Sequence, residues 1–306
     1  MPNLAAATAS PRLGGYLAAA GTVAIWTGFI LISRLGGVTA LTPYDTLALR
    51  LGTASLLLLP FLGDLPRGIW FDLKMWVLAL LGGLIYGVFV FAAFKFAPAA
   101  HGAILLPGMQ PFLIAAVAWA LGGARPDASR MIGLAGIAVG IVCVAAHYVA
   151  GGHAWTPEVL VGDALLLGGS LAWAIYSVLA KRWAHDPWTL TRFVALASTL
   201  LFMPVYLLWL PKGVGDVPLG MLVAQGLYQG AGVTLIAMML FLKAVHSLGA
   251  ERTGALVAMV PVLAGVAAAP LLGEALSGWL IAGLLFVSAG AFVAARPGRR
   301  RGRRPG

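Results

Sequence analysis

Charged side chains are scarce in this chain. Asp, Glu, Lys and Arg make up 10% of its 306 residues, whereas 61% are hydrophobic and the mean hydropathy is +0.95. Soluble domains carry about 25% charged and about 45–50% apolar residues, so a soluble fold of this length could not bury so much apolar surface. The composition therefore excludes an ordinary soluble protein and predicts a chain whose apolar excess faces lipid.

Cysteine is nearly absent. The single Cys143 excludes an internal disulfide framework and a cysteine-based metal site, and we expect no metal and no cofactor. The formal charge of +10 arises partly from six arginines at the end of the chain: Arg296, Arg299, Arg300, Arg301, Arg303 and Arg304. A basic cluster next to an apolar segment is typical of a tail that binds anionic lipid headgroups, and no aromatic-interleaved basic groove indicates nucleic acid.

Ten apolar segments are long enough, or nearly so, to cross a membrane as helices, which takes about 20 residues each. They are continuous and rich in Gly, Ala and Leu, without the alternation of barrel strands. The sequence therefore predicts an all-α polytopic membrane protein with ten transmembrane helices. The predicted segments are 13–33, 46–63, 75–94, 99–122, 130–150, 160–180, 188–209, 218–242, 253–272 and 276–295.

Basic residues indicate how the segments are oriented. With a cytoplasmic N-terminus, most of the 20 lysines and arginines lie in cytoplasmic segments, and only Arg34, Lys95 and Lys212 lie in external loops. This distribution follows the positive-inside rule, so we expect both termini in the cytoplasm of a cell with an inner membrane.

The two halves of the chain match in order, with offsets between 144 and 150 residues. The matching pairs include Trp26 with Trp173, Pro43 with Pro187, Pro60 with Pro204, Lys95 with Lys243, and Pro111 with Pro261. Five spans per half is an odd number, so the second half enters the membrane from the opposite side, as in many secondary transporters. The predicted division is a segment 1–12, repeats 13–150 and 151–295, and a basic tail 296–306.

Several short motifs resemble one known family. They are Ala24-Ile25-Trp26, Leu171-Ala172-Trp173, the run from His101 to Pro111, the run from Thr253 to Pro261, and Leu272-Gly273-Glu274. On these residues the chain is similar to EamA-type members of the drug/metabolite transporter superfamily. The resemblance implies ten helices, a central cavity lined mainly by helices 1, 3, 4, 6, 8 and 9, and export of small metabolites. Some relatives export amino acids, including aromatic ones.

One departure from the family pattern concerns an acid. The family usually has a Gly-Glu pair after the fourth helix of both halves. The second half has Gly273-Glu274, but the first half has Gly122-Gly123-Ala124-Arg125.

Mid-span polar and aromatic side chains are the candidates for substrate binding. Amides facing lipid would lack hydrogen-bond partners, so these faces should point inward, either to bind a ligand or to join helices. Gln225, Tyr228 and Gln229 form one stripe of the eighth segment. The full predicted set is Trp26, Tyr86, Gln110, Trp173, Tyr176, Ser177, Gln225, Tyr228 and Gln229. An apolar cavity with aromatic walls suits neutral, zwitterionic or flat aromatic ligands, and organic cations as well.

Three basic residues are possible charge partners. Arg50 and Arg192 occupy matching places and either reach a headgroup, form a salt bridge, or meet a substrate carboxylate. His101 either makes an interfacial hydrogen bond or takes part in proton movement. Asp163, Glu251 and Glu274 lie at span ends, and the lack of a mid-span acid favours a facilitative or weakly coupled carrier over a proton-coupled one.

The sequence thus favours a secondary transporter that exports small metabolites, foremost neutral or aromatic amino acids, by alternating access. A multidrug or organic-cation exporter of the same fold is the alternative, and a membrane-embedded enzyme is a remote one because no catalytic motif is present. We expect a small-molecule substrate and membrane lipids as partners. Whether the protein is a monomer or a homodimer stays open.

Overall fold

The computed structural model describes residues 11–123, 128–150 and 156–294, which form helices joined by short loops, with no strand among them. Nine of the described helices are long and apolar enough to cross a membrane, and one further apolar helix is shorter. They are α1 (Arg12–Gly37), α2 (Pro43–Asp64), α3 (Leu73–Phe96), α4 (Ala99–Ala120), α5 (Arg130–His147), α6 (Pro157–Arg182), α7 (Pro187–Trp209), α8 (Leu219–Leu248), α9 (Arg252–Leu272) and α10 (Gly278–Ala294). The predicted all-helical fold is confirmed; the basic tail and the side chain of Glu251 lie outside the described residues.

Several helix ends differ from the sequence prediction, among them those of α1, α2 and α8. Helix α1 runs on to Gly37 and α8 to Leu248, beyond the predicted ends at 33 and 242. Helix α2 begins at Pro43 rather than at 46, because Thr42 Oγ1 accepts from Asp45 N and the Asp45 carboxylate accepts from Thr42 N. This reciprocal capping box, followed by proline in the first turn, is a strong helix start.

The two halves, α1–α5 and α6–α10, pack through equivalent contacts. Helix α1 packs along α8, and α6 packs along α3, so the first helix of each half meets the third helix of the other. Helix α1 starts and α10 ends on one side of the bundle, called here the terminal face. The opposite side, where α1 and α9 end, is the distal face. The predicted inverted repeat is confirmed.

Helices α5 and α10 pack closely along each other and lie away from the centre of the bundle. A Cβ atom added to Gly290 would lie 2.5 Å from the carbonyl oxygen of Gly133, and one added to Gly133 would lie 2.6 Å from the carbonyl oxygen of Gly290. Only glycine allows the two backbones to approach so closely, as small residues do between helices in lipid.

Replacement of Gly290 by leucine should therefore separate α5 from α10. Overpacking of this kind costs about 1–3 kcal/mol, and we expect a lower unfolding temperature of the detergent-purified protein. Gly278→Leu is the matched control, because nothing lies within 4 Å of a Cβ at that position in the same helix. Equal unfolding temperatures for the two variants would show that the contact contributes no stability.

A polar cluster joins four segments at the distal face, and we call it the distal latch: Arg34, Glu274, the carbonyl of Phe94 and the amide of Ala99. Arg34 Nε lies 3.0 Å from Glu274 Oε1, and Arg34 Nη1 donates to Phe94 O at 2.8 Å. Ala99 N, at the start of α4, donates to Glu274 Oε2 at 2.8 Å. The glutamate thus caps α4 and neutralises the arginine that ends α1.

At the corresponding place on the terminal face, the described residues form a weaker contact between helices. Arg182, which ends α6 as Arg34 lies near the end of α1, donates from Nη1 to Leu121 O at 3.1 Å and is exposed. No ion pair involving Arg182 is found among the described residues. Among the described residues, the half that carries the family's acid thus has an ion pair at this place, and the half that departs from the pattern has a contact with one carbonyl.

Wide helical turns occur in the middle of three helices. Residues Leu80–Ile85 of α3, Ile104–Gly108 of α4 and Leu227–Ile236 of α8 are π-helical. In α4 the turn contains Pro107, which removes a backbone donor. Such turns are frequent at functional sites, and all three lie at the level of the central cavity.

Candidate binding cavity

A concave space at the junction of the two halves is the candidate site. Its wall includes residues from α2 and α7 in addition to the six helices implied by the family resemblance. The lining residues are Trp26, Phe29, Ile30, Arg50, Leu51, Gly82, Gly83, Tyr86, Leu106, Pro107, Gln110, Trp173, Tyr176, Thr191, Val194, Ala195, Val233, Thr234, Met238 and Val260.

The cavity lies closer to the terminal face than to the distal face. Thr191 lies about one turn from the start of α7 at the terminal face. The lining residues nearest the distal face, among them Ile30 and Leu106, lie about two turns from the helix ends. Above them, the first turn of α4 packs on α9 and is buried from Ala99 to Ala103, so packed helices and the distal latch close that side.

Aromatic rings form most of one wall. The Tyr86 and Trp173 rings lie 4.9 Å apart between centroids, and Trp173 and Tyr176 lie 5.1 Å apart. Trp26, at the matching place to Trp173 in the first half, packs on Phe241 at 5.4 Å. The sequence repeat thus places an aromatic side chain from each half in one cavity, which offers flat apolar surface to a ligand.

Arg50 carries the only charge among the described residues that line the cavity. Its guanidinium carbon lies 5.5 Å from the Phe29 ring centroid and 6.0 Å from that of Tyr86. Its Nη1 atom is buried without a hydrogen-bond partner, and no described acid pairs with it. A cation at this depth is costly, and contacts with aromatic faces offset only part of that cost.

Gln110 lies on the same wall in α4. Its Nε2 donates to the backbone carbonyl of Ser170 at 3.2 Å, while its Oε1 is buried without a partner. A carbonyl only accepts, so this contact requires the amide nitrogen at that position and leaves the amide oxygen as the free acceptor. Two residues of the cavity wall, Arg50 and Gln110, thus each have a buried polar atom without a partner, a donor in one and an acceptor in the other.

Four of the predicted binding residues do not line the cavity. Gln225 Nε2 donates to Ile32 O at 2.9 Å, and Gln229 Nε2 donates to Ser33 Oγ at 3.0 Å. Tyr228 Oη donates to the carbonyl of Ile25, and Ser177 Oγ donates to the carbonyl of Trp173 in its own helix. The helix-8 stripe thus joins α8 to α1, and substrate contact by these four residues stays a prediction.

The other predicted charge partners also lie outside the wall. His101 Nδ1 lies 2.7 Å from Asp163 Oδ1, which joins α4 to α6 near the distal face. Arg192 donates to Phe61 O at 3.1 Å and lies 3.5 Å from a carboxylate oxygen of Asp64. Of the three basic candidates, only Arg50 reaches the cavity. Within the described residues, no cluster of His, Cys, Asp or Glu could hold a metal ion.

Sequence reasoning missed some of the wall and one buried acid. Thr191, Thr234 and Met238 line the cavity, and the two threonines were detectable as polar residues inside apolar spans. Asp45 is fully buried at the start of α2 and was placed outside the predicted segment. The Thr42-Pro43-Tyr44-Asp45 capping pattern is the signal that identifies it.

Ten apolar helices in two inverted halves around a cavity define a class, the polytopic transporters that move small molecules. Residues 13–146 and 160–296 each match the EamA-like transporter family, and the chain belongs to that family. It is accordingly a multi-pass membrane transporter, and the names of the family and its relatives indicate transport rather than catalysis.

Individual relatives are distant. The chain is 24% identical to the uncharacterized transporter YetK of Bacillus subtilis over 92% of this chain and 87% of that one. It is 30% identical to the aromatic amino acid exporter YddG of Ancylobacter novellus over 45% of this chain and 47% of that one. A protein crystal structure, 23% identical, shares the fold with a TM-score of 0.59 and covers 94% of this chain and 97% of its own.

Proposed function

We propose that this transporter exports amino acids with neutral or aromatic side chains across the inner membrane by alternating access. The observation that carries the proposal is the aromatic-walled cavity with one unpaired cation and one unpaired amide oxygen. Such a surface suits a zwitterion with a flat or apolar side chain. The likeness to an aromatic amino acid exporter over part of the chain supports the same class.

The proposed orientation places the terminal face in the cytoplasm. In this arrangement the cavity approaches the side from which an exporter receives its substrate, and the distal latch closes the outer side. Transport then requires α4 and α9 to part at the distal face while the helices close at the terminal face. The inverted halves offer this exchange because each can adopt the conformation of the other.

The alternative substrates, organic cations, are disfavoured by the charge of the wall. Arg50 repels a cationic ligand, and no carboxylate lies among the described lining residues to attract one. The same lack of a cavity acid supports a facilitative mechanism without proton coupling.

Counterflow in proteoliposomes tests the proposal. Vesicles preloaded with unlabelled amino acid should transiently accumulate trace labelled phenylalanine, threonine or methionine, saturably and equally with and without a pH gradient. Protein-free vesicles are the control. No accumulation of any of the three would remove amino acids as substrates, and accumulation that needs the gradient would overturn the facilitative mechanism.

A further inference from the structure

We infer that Arg50 and Gln110 form a two-point site for the head group of an α-amino acid, an inference that rests on the proposed function. Arg50 would bind the carboxylate, and the amide oxygen of Gln110 would accept a hydrogen bond from the ammonium group. The aromatic rings of Trp26, Trp173 and Tyr176 would contact the side chain. All five residues line the same cavity.

Arg50 has a donor that no group of the protein satisfies among the described residues. The guanidinium group cannot lose its proton, and its buried Nη1 has no partner in the ligand-free protein. Phe29 and Tyr86 flank it, which limits the orientations of its planar donors. A carboxylate accepts two parallel hydrogen bonds from such a fork and neutralises its charge, so it fits better than a neutral acceptor.

Gln110 has a side-chain amide whose orientation is fixed by the protein. Its amide nitrogen is held by the carbonyl of Ser170, and Ser170 Oγ in turn donates to the carbonyl of Leu105 in α4. These contacts join α4 to α6 and leave Oε1 as the acceptor with no partner. An ammonium group supplies the donor that this oxygen lacks, whereas a second carboxylate would be repelled.

The two points together discriminate between three related ligands. Phenylalanine satisfies both, phenethylamine lacks the carboxylate, and 3-phenylpropionate lacks the ammonium group. A site built to bind a polar group rejects the analogue that lacks it, because its own buried group stays unpaired. We expect each analogue to bind the wild-type protein about ten- to a hundredfold more weakly than phenylalanine.

The test measures dissociation constants for the three ligands by quenching of tryptophan fluorescence in the purified, full-length protein. Trp26 and Trp173 line the cavity and report on its occupancy. In Arg50→Gln the preference for phenylalanine over phenethylamine should fall to about one, while the preference over 3-phenylpropionate persists. In Gln110→Met the preference for phenylalanine over 3-phenylpropionate should fall to about one, while the preference over phenethylamine persists.

Arg192→Gln is the matched control, since it makes the same substitution at the matching place in α7 without touching the cavity. The preferences for phenylalanine over phenethylamine and over 3-phenylpropionate should both stay at their wild-type values, even if the variant protein is less stable. One outcome is that counterflow of amino acids occurs, but neither Arg50→Gln nor Gln110→Met changes the ratios of the dissociation constants. This outcome would overturn the two-point site and leave amino acid export standing. Binding with the expected ratios, but no counterflow of amino acids, would sink export and leave the site standing. Failure to bind any of the three ligands would overturn the two-point site and remove phenylalanine as a substrate, and counterflow of threonine and methionine would then decide whether amino acid export stands.

Discussion

The Glu274→Gln variant should open the cavity toward the distal face. Glu274 accepts from Arg34 and from the amide that starts α4, and both contacts hold the distal ends of α1, α4 and α9 together. Glutamine keeps the shape and one acceptor but cannot neutralise Arg34. Loss of charge-assisted contacts worth about 2 kcal/mol shifts the ratio of distal-open to distal-closed protein by about thirtyfold.

The measurement uses one cysteine as a reporter of that opening. Ile30 lines the cavity and is 1% exposed, and replacement of the buried native Cys143 by serine leaves Ile30→Cys as the only thiol. In Glu274→Gln, a membrane-impermeant thiol reagent supplied at the distal face should modify this cysteine at least about tenfold faster. Vesicles of both orientations identify the side from which the reagent enters.

Arg182→Gln is the control for the latch, because it removes the corresponding arginine at the terminal face. It should leave distal labelling unchanged, since Arg182 is exposed and, among the described residues, donates to the carbonyl of Leu121 on the opposite face. If Glu274→Gln labels no faster than the wild type from the distal side, the latch does not govern access.

Asp45→Ala should be the most destabilising single change outside the cavity. Asp45 is fully buried, and its carboxylate accepts from Tyr206 Oη at 2.6 Å, from Thr42 N at 2.7 Å and from Gly213 N at 2.8 Å. It therefore ties the start of α2 to α7 and to the loop that follows α7. Removing the carboxylate leaves a hydroxyl and two backbone amides without partners, which costs about 3–5 kcal/mol.

Thermal unfolding of the detergent-purified protein checks this expectation. The unfolding temperature should fall by on the order of 10 °C for Asp45→Ala and by less for Tyr206→Phe, which removes one of the three contacts. Asp216→Ala, an exposed acid in the same distal loop, should change little. A fall for Asp45→Ala no larger than that for Asp216→Ala would show that water replaces the three contacts at no cost.

The fold was predictable because it depends on long-range averages of the sequence. A run of about 20 apolar residues defines a membrane helix whatever its neighbours, and the order of Trp26 with Trp173 and Pro111 with Pro261 indicates the repeat. Helix ends were less predictable because they depend on single polar contacts. Asp45 extends α2 by a capping box, and Gly37 ends α1 beyond an arginine that the latch neutralises.

The cavity was predictable only in part. Trp26 and Trp173 are predicted to bind substrate because mid-span aromatic residues do not belong to the aromatic belt at the membrane surface. Both lie in the wall of the cavity. The stripe of Gln225 and Gln229 has the period of one helix face, but a period does not indicate what that face meets. The face meets α1, whereas Thr234, in the π-helical part of α8, lines the cavity.

The unequal ends of the two halves have a consequence for the direction of transport. Gly273-Glu274 supplies an acid at the distal face, whereas Gly122-Gly123-Ala124-Arg125 supplies none. An acid that joins the helices at one face only stabilises one facing state, so we expect the empty carrier to populate the distal-closed state more than the distal-open state. Microscopic reversibility forbids such a bias from driving accumulation in a carrier without a coupled ion. The substrate concentration at half-saturation would then differ between the two sides of the membrane. Net flux would nevertheless vanish when the actual substrate concentrations on the two sides are equal.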